Sequence, residues 1–536
     1  MKNIVICSDG TGNSSVKGRG TNVFKLFEAI DLNGHRTDPK LRTQVALYDD
    51  GVGTENFKPL KIFAGATGFG LSRNVKQLYK ELVRIYDPGD RIFLFGFSRG
   101  AFTARTLSGL ITTCGILDAR KLTTAGALEK MVRKAYKMYR RRYRTELAKL
   151  FLGKPDPART AKFKSNHCVP NDVTIAFLGV WDTVDAVGLP FHLSDVINLT
   201  IYRFKFPDSK LNKSVERACH ALSIDDQRHS FHPLLWCLES GDEKRIEQVW
   251  FAGAHSNVGG GYPKQGMSLV ALDWMMRKAA EKAGDHPGLR VLASDHALYR
   301  DHANVDDKLY DPRAGLGVFY RWKPRDIAEM CRDNNLEPAI HLSVLERIAH
   351  GTEDYAPGNL AGNATVVISP SSDDDKNDAA LVRAQAVQEV LRSAHGGGGS
   401  LLTQVKPAIL AGRFSYYVYV LSCLGVVIGA SALNGPEPVL NPLALMKNAG
   451  QFIENVATLQ FGALFASLKH LASSPRLMGL LAGGFFWSYL LVKFADSRMS
   501  NVFSQFWHTQ QPELRKALQK AREIAAASQA QGRAAD

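Results

Sequence analysis

The stretch Arg91-Ile92-Phe93-Leu94-Phe95-Gly96-Phe97-Ser98-Arg99-Gly100-Ala101-Phe102 sets a serine between two glycines, after an apolar run and before a helix-like one. Gly-x-Ser-x-Gly in that setting is the pattern of a nucleophile elbow. The glycines permit a sharp strand-to-helix turn, and the helix N-terminus beneath it favours a developing oxyanion. Ser98 is therefore the candidate nucleophile. A serine attacks only when a histidine takes its proton, and the histidine needs a carboxylate to hold its tautomer. The apolar run that opens at Val173 ends on Trp181-Asp182, and the run from Ile246 leads into His255 and a glycine-rich loop. Asp182 is the candidate acid and His255 the candidate base. His229, His232 and His341 are rival bases, and Asp185, Asp225 and Asp226 rival acids. They rank second because none directly ends an equally clear apolar strand.

An acyl-transfer site also needs donors for the oxyanion. Asn3 to Cys7 reads as a short strand that empties into Ser8-Asp9-Gly10-Thr11-Gly12-Asn13, where glycines free backbone amides to point at a ligand. The expected hole combines the Arg99 amide with that of Gly10 or Thr11. A second loop of the same kind, Val45 to Thr54, is expected on the same rim. Asp9-Gly10-Thr11 also fits part of the loop of phosphatases that attack with an aspartate, but the attacking residue would fall on Cys7, which excludes that chemistry.

These residues must be held by a common scaffold. Strand-like and helix-like runs alternate through the first 260 residues, which predicts an α/β fold with a mostly parallel sheet and helices on both faces. Sites in such sheets lie at the carboxyl ends of the strands, where Gly10, Ser98, Asp182 and His255 all fall. Residues 261 to about 360 read as helices and long loops that complete a catalytic domain spanning 1–360.

The segments Ser8-Asp9-Gly10-Thr11-Gly12-Asn13, Gly96-Phe97-Ser98-Arg99-Gly100-Ala101, Gly179-Val180-Trp181-Asp182-Thr183-Val184, Val249 to Ser256 and Ser343-Val344-Leu345-Glu346-Arg347 resemble the signatures of an alpha/beta-hydrolase family of bacteria and fungi. That family, long labelled a domain of unknown function, includes a class of type VI secretion phospholipase effectors. The resemblance covers roughly residues 1–360. It implies Ser98 as nucleophile, His255 as base and Asp182 as acid. One departure stands out: the family usually has an aspartate where this chain has Asn257, so the activity expected here rests on Asp182.

The 536-residue chain is 45% hydrophobic and 22% charged, ordinary for globular protein and long enough for more than one domain. Its seven cysteines, Cys7, Cys114, Cys168, Cys219, Cys237, Cys331 and Cys423, show neither disulfide-framework nor metal-ligand spacing. They are expected as reduced thiols, and the triad chemistry calls for no metal and no organic cofactor. Met1-Lys2 leads straight into a strand, with no secretory signal core. The net charge of +15 is concentrated in a basic helical insertion at about 120–164, with Arg133, Lys134, Lys137, Arg140, Arg141, Arg142 and Arg144 interleaved by Tyr136, Tyr139 and Tyr143. This is either a solvated surface helix or, through Arg140, Arg141 and Arg142, a contact to anionic lipid headgroups worth roughly 1 kcal/mol per residue. No nucleic-acid fold signature accompanies it.

Residues 361–404 change composition, with Asp373-Asp374-Asp375, a short helix-like run and Gly396 to Ser400, and read as a linker. Within 405–496 two uncharged spans, near 414–433 and 477–492, approach the length that crosses a hydrocarbon core of about 30 Å. Lys406 and Arg413 before the first span and Lys493 and Arg498 after the second predict a hairpin with both ends cytosolic. The alternative is a buried helical hairpin of a soluble domain. Residues 497–536 read as a basic-leaning helical tail. The chain therefore reads as a membrane-associated serine esterase or lipase acting on lipid acyl esters, plausibly a phospholipase A. The alternatives are a catalytically impaired scaffold on the same fold, and a lipase effector exported by a contact-dependent secretion system toward an immunity partner.

Overall fold

The computed structural model describes residues 1–10, 20–51, 69–122, 124–142, 156–170, 173–184, 209–282, 286–314, 320–369, 374–396, 400–433, 462 and 475–535. The strands among them are β1 (Lys2–Ser8), β2 (Thr43–Asp49), β3 (Arg91–Phe97), β4 (Ile175–Trp181), β5 (Val215–Ser223), β6 (Ile246–Phe251), β7 (Ala339–His341) and β8 (Thr365–Val367). They form one sheet in the order β2-β1-β3-β4-β5-β6-β7-β8. Every pairing is parallel.

Side-chain alternation along the strands explains the two covered faces. Ile4, Ile6, Ile92, Leu94, Leu178 and Val180 point to one side, where helices α2 (Phe69–Ile85), α3 (Arg99–Cys114), α4 (Ala125–Arg141) and α5 (Pro157–His167) pack. Val5, Cys7, Phe93, Phe95, Phe97 and Trp181 point to the other, against α1 (Asn22–Glu28) and α6 (Gly266–Ala280). Each fully buried Leu or Phe in these layers contributes about 1.5–3 kcal/mol. The expected α/β class with helices on both faces is therefore what the chain forms.

The basic block resolves into an amphipathic helix. In α4 the buried positions are Leu128, Val132, Ala135, Tyr136, Met138 and Tyr139, so the two tyrosines expected among the charges face the core. The Tyr136 hydroxyl meets Ser72 at 2.9 Å. Lys130, Arg133, Lys134 and Lys137 stay exposed. Tyr143 and Arg144 lie outside the described residues.

A third core layer joins the β6–β8 edge to the C-terminal part of the chain. Helices α7 (Leu342–His350), α8 (Asp374–His395), α9 (Lys406–Leu433) and α10 (Pro475–Ala535) follow the sheet. Both apolar spans are helical: α9 contains 414–433, and 477–492 lies in the first third of α10. Each is long and apolar enough to cross a membrane. Their large side chains, including Phe414, Leu421, Leu480, Phe486 and Trp487, are largely exposed. The two helices are joined by Ser415 Oγ donating to the Ser488 carbonyl at 2.9 Å and Ser488 Oγ to the Ser415 carbonyl at 3.0 Å, the small-residue pairing favoured in lipid. The expected boundary at 496/497 falls inside α10. Beyond it Trp507, Leu514 and Leu518 are buried in the third layer, and Trp507 Nε1 donates to the Pro357 carbonyl at 2.8 Å. The tail is thus packed in the same core layer as Leu222, Trp250 and Ile340 of the sheet. The segment between the spans, 434–474, lies outside the described residues apart from Gly462.

Candidate active site

Strand order reverses between β1 and β3, because the chain leaves β1 toward β2 on one side and returns to β3 on the other. Parallel sheets bind ligands at such a switch point, and here it falls between the Ser8–Gly10 turn and Ser98. Ser98 joins β3 to α3 with φ 59° and ψ −122°, and its hydroxyl does not cap the helix it precedes. A side chain in this positive-φ region costs about 1–3 kcal/mol, strain of the kind that clusters at reactive residues. The flanking glycines are there for close approach. A Cβ on Gly96 would lie 2.4 Å from the Gly100 carbonyl oxygen, and one on Gly100 would lie 2.1 Å from that of Ser8. The Ser98 amide donates to the Trp181 carbonyl at 3.1 Å, tying the elbow to the residue before Asp182.

His255 opens a short helix, His255–Gly259, after β6. Its Nδ1 bonds Asp182 Oδ2 at 2.6 Å. Its ring packs on Phe97, centroids 4.6 Å apart, and edge-on to Phe231 at 5.1 Å. That contact depends on Gly259, where a Cβ would fall 2.0 Å from the Phe97 ring. His255 Nε2 is buried and makes no hydrogen bond among the described residues. The bond to Ser98 is thus unmade here, as is common before substrate tightens a site.

Asp182 is fully buried and receives more than the histidine. Arg325 grips it with both arms, Nη1 to Oδ1 at 2.7 Å and Nη2 to Oδ2 at 2.9 Å. Ser223, at the end of β5, adds its amide at 3.0 Å and hydroxyl at 3.2 Å. Arg325 is itself fixed by the carbonyls of Ser223 and Phe231, each at 2.5 Å. Burial alone would raise the Asp182 carboxyl, but the Arg325 charge and the hydrogen bonds from His255 and Arg325 hold it well below the usual carboxylate range. Burial pushes His255 below the ordinary imidazole value against the pull of Asp182. The pair is therefore a carboxylate and a neutral imidazole whose Nδ1 carries the proton, leaving Nε2 as acceptor.

The rival residues are placed otherwise. His229 and His232 stack on each other at 5.2 Å, and His232, lowered to about 3 by burial, meets the Lys323 carbonyl at 3.0 Å. His341 sits between Ser343 and Ser369. Asp225 is raised to about 6 by burial and accepts from the Gly253 amide and the Tyr355 hydroxyl. Asp226 lies nearest the site: it accepts from the His255 amide at 3.3 Å and pairs with Arg228 at 2.6 Å. Asp185 lies outside the described residues.

At the N-terminal turn the Gly10 amide donates to Asp9 Oδ1 at 2.6 Å, and Asp9 Oδ2 accepts from Thr21 at 2.6 Å and Tyr48 at 2.7 Å. Gly10 would have to leave Asp9 to serve an oxyanion. Thr11 and Val52 to Thr54 lie outside the described residues. Arg99 holds the first helical position of α3, where an α-helix makes no internal amide bond. The Asn257 side chain is bonded to groups other than the imidazole: its amide donates to the Lys308 carbonyl at 3.0 Å and its oxygen accepts from the Ala254 and Tyr310 amides. Sequence reasoning missed Arg325 and Ser223. The position of Ser223 at a strand end was a usable signal, whereas for Arg325 the sequence offered only a helix-like run, Arg325 to Asp333, that could cap or flank the site.

Residues 2–278 match the family model described as the type VI secretion phospholipase effector Tle1-like catalytic domain. An uncharacterised yeast protein, YEL023C of Saccharomyces cerevisiae, is 29% identical over 247 residues, 44% of this chain and 32% of its own. The chain thus matches about a third of the length of that relative. The Tle1 effector bound to the VgrG spike of the type 6 secretion system is 17% identical, with TM-score 0.27 over 49% of this chain and 51% of that one. An uncharacterised protein from Pseudomonas aeruginosa is 19% identical, with TM-score 0.29 over 75% of this chain and 61% of that one.

Proposed function

This chain belongs to the Tle1-like catalytic-domain family of type VI secretion phospholipase effectors, and we propose that it is a serine esterase that cleaves an acyl ester of a membrane lipid. The observation that carries this reading is the strained Ser98 elbow beside a buried Asp182–His255 pair at 2.6 Å. Ser98 Oγ attacks the acyl carbonyl and gives its proton to His255 Nε2, while Asp182 steadies the imidazolium. The oxyanion is met by the Arg99 amide at the start of α3 and by an amide of the Gly10–Thr11 turn. Collapse expels the lipid alcohol, which takes the proton from His255, and water then hydrolyses the acyl-serine by the same relay.

Lipid as substrate is supported by the family and by the two exposed apolar helices. They would anchor residues 405–496 as a hairpin and hold the domain of 1–360 at the bilayer, on the cytosolic side by the distribution of Lys406, Arg413, Lys493 and Arg498. The impaired-scaffold alternative rested on Asn257, whose contacts with Lys308, Ala254 and Tyr310 support a structural role apart from the proton relay. Delivery as an effector follows from the family name alone, and dependence of export on a type VI apparatus would test it. The decisive assay is acyl-ester hydrolysis on liposomes: Ser98→Ala should fold normally and lose on the order of 10³-fold or more in kcat. Undiminished turnover would end the assignment.

A further inference from the structure

The imidazole of His255 packs against two aromatic rings, Phe97 with centroids 4.6 Å apart and Phe231 at 5.1 Å. Phe97 ends β3 and is fixed by the sheet. Phe231 ends a single helical turn, His229–Phe231, and takes its place from its neighbours. The Arg228 guanidinium lies 3.4 Å above its ring and is itself held by Asp226 at 2.6 Å. The Tyr320 ring stands edge-on to it at 5.5 Å, and its carbonyl accepts from Arg325 Nη2. These neighbours form a short antiparallel ribbon. Arg228 bridges Trp322, the His229 amide donates to the Arg321 carbonyl and the Lys323 amide to the Gln227 carbonyl, both at 2.8 Å, and Trp322 Nε1 donates to Gln227 Oε1 at 2.8 Å.

Trp322 is 2% exposed, and the two apolar helices supply the residues clustered with it: Val405 and Ala408 where α9 begins, and Ala495 and Met499 of α10 just past the second span. The backbone of α9 comes so close that a Cβ on Gly412 would fall 2.8 Å from the indole ring. A chain of packed and hydrogen-bonded contacts therefore runs from α9 through Trp322 and the Gln227–Phe231 stretch to His255. Close-packed groups transmit displacement because they have no voids to move into, and about 1 Å of misplacement at a reacting group costs up to roughly 10²-fold in rate. His255 depends on such support. The Asp182 bond fixes its ring at Nδ1 without fixing rotation about that bond, and Nε2 makes no hydrogen bond among the described residues. Resting on the esterase reading above, we propose that Phe231 and Trp322 are positioning residues for His255, and that the ends of the two apolar helices set, through them, the angle at which the imidazole faces Ser98. The two helices then support catalysis even on a substrate that never enters a bilayer.

The test uses the full-length chain in detergent micelles, a short water-soluble ester and a fluorophosphonate probe, at a temperature well below every measured Tm. Trp322→Ala opens the contact with α9, Gly412→Ala drives a Cβ against the indole from the α9 side, and Trp322→Phe keeps an aromatic ring in the seat. Trp507→Ala, which removes a buried indole of the third core layer, controls for stability. Trp322→Ala should lower kcat about tenfold or more and slow labelling of Ser98 to the same degree, with KM for the small ester unchanged. Gly412→Ala should lower both rates in the same sense, Trp322→Phe should recover most of the loss, and Trp507→Ala should lower Tm at wild-type kcat. If Trp322→Ala does not fold, Gly412→Ala and Trp322→Phe decide by the same readouts. Folded variants with wild-type kcat and labelling, or a loss in Trp507→Ala equal to that in Trp322→Ala, overturn this inference while the esterase reading stands. A wild-type chain that neither hydrolyses the ester nor takes the probe overturns that reading, and this inference with it.

Discussion

Replacing Arg325 with glutamine tests the arrangement around the acid. Arg325 and Asp182 are both fully buried, and removing one partner of such a pair costs about 3–5 kcal/mol because the other charge is left stranded. Asp182 would keep the two Ser223 bonds and the His255 bond, so the lower end, about 3 kcal/mol, is expected, a fall in Tm of roughly 6 °C. The pH dependence gives a second reading. With Arg325 present the depressed Asp182 contributes stability above its unfolded value of about 3.9, lost as pH falls through the lower folded value. The lowered His255 acts in the neutral range: the unfolded chain takes up its proton near pH 6.5 before the native state does, so stability falls as pH drops below that value. Without Arg325 the Asp182 charge is answered by His255 alone, which raises the imidazole. The acid limb of kcat/KM then moves to higher pH while the optimum falls. Arg325→Lys restores the charge without the fork and should recover the limb more than the rate. The assay is hydrolysis of a soluble short-chain ester from pH 5 to 9, with melting curves at each pH. An unshifted acid limb together with an unchanged Tm would refute this account.

Asp182→Asn should lower kcat by roughly 10⁴-fold by fixing the wrong tautomer, whereas Asp226→Asn, at a residue that bonds the His255 amide and Arg228, should keep kcat within the same order of magnitude. The reverse ranking in steady-state assays would move the acid to Asp226. Gly100→Ala drives a Cβ to 2.1 Å from the Ser8 carbonyl oxygen and should cost about 3 kcal/mol with loss of activity, measured by chemical denaturation. Trp507→Ala removes a buried indole and its bond to Pro357 and should cost about 3–5 kcal/mol; a melting curve like wild type would mean the tail is not part of the domain.

The Ser98 elbow was legible because such a turn is local: an apolar strand, two glycines around a serine and a helix lie within a dozen residues. Asp182 and His255 were legible for a related reason. In a parallel sheet every strand ends at the same edge, so polar residues that terminate apolar runs converge even when their partners are far along the chain. The two apolar spans were likewise set by composition over a length. What tertiary structure decided was what meets those residues from a distance. Arg325 lies 143 positions beyond Asp182, at the head of a helix-like run that forms the short helix Ile327–Arg332, and only the fold brings its guanidinium under the carboxylate. The tyrosines of α4 read as part of a charged surface until the neighbours of that helix turned them inward. Trp507 joins the core through a carbonyl 150 residues away, and Gly10 gives its amide to Asp9 because the turn closes that way. Local pattern determines which residues stand at an element's end or on its face. The partners that complete a buried charge are chosen by packing between elements, which the pattern of one element does not encode.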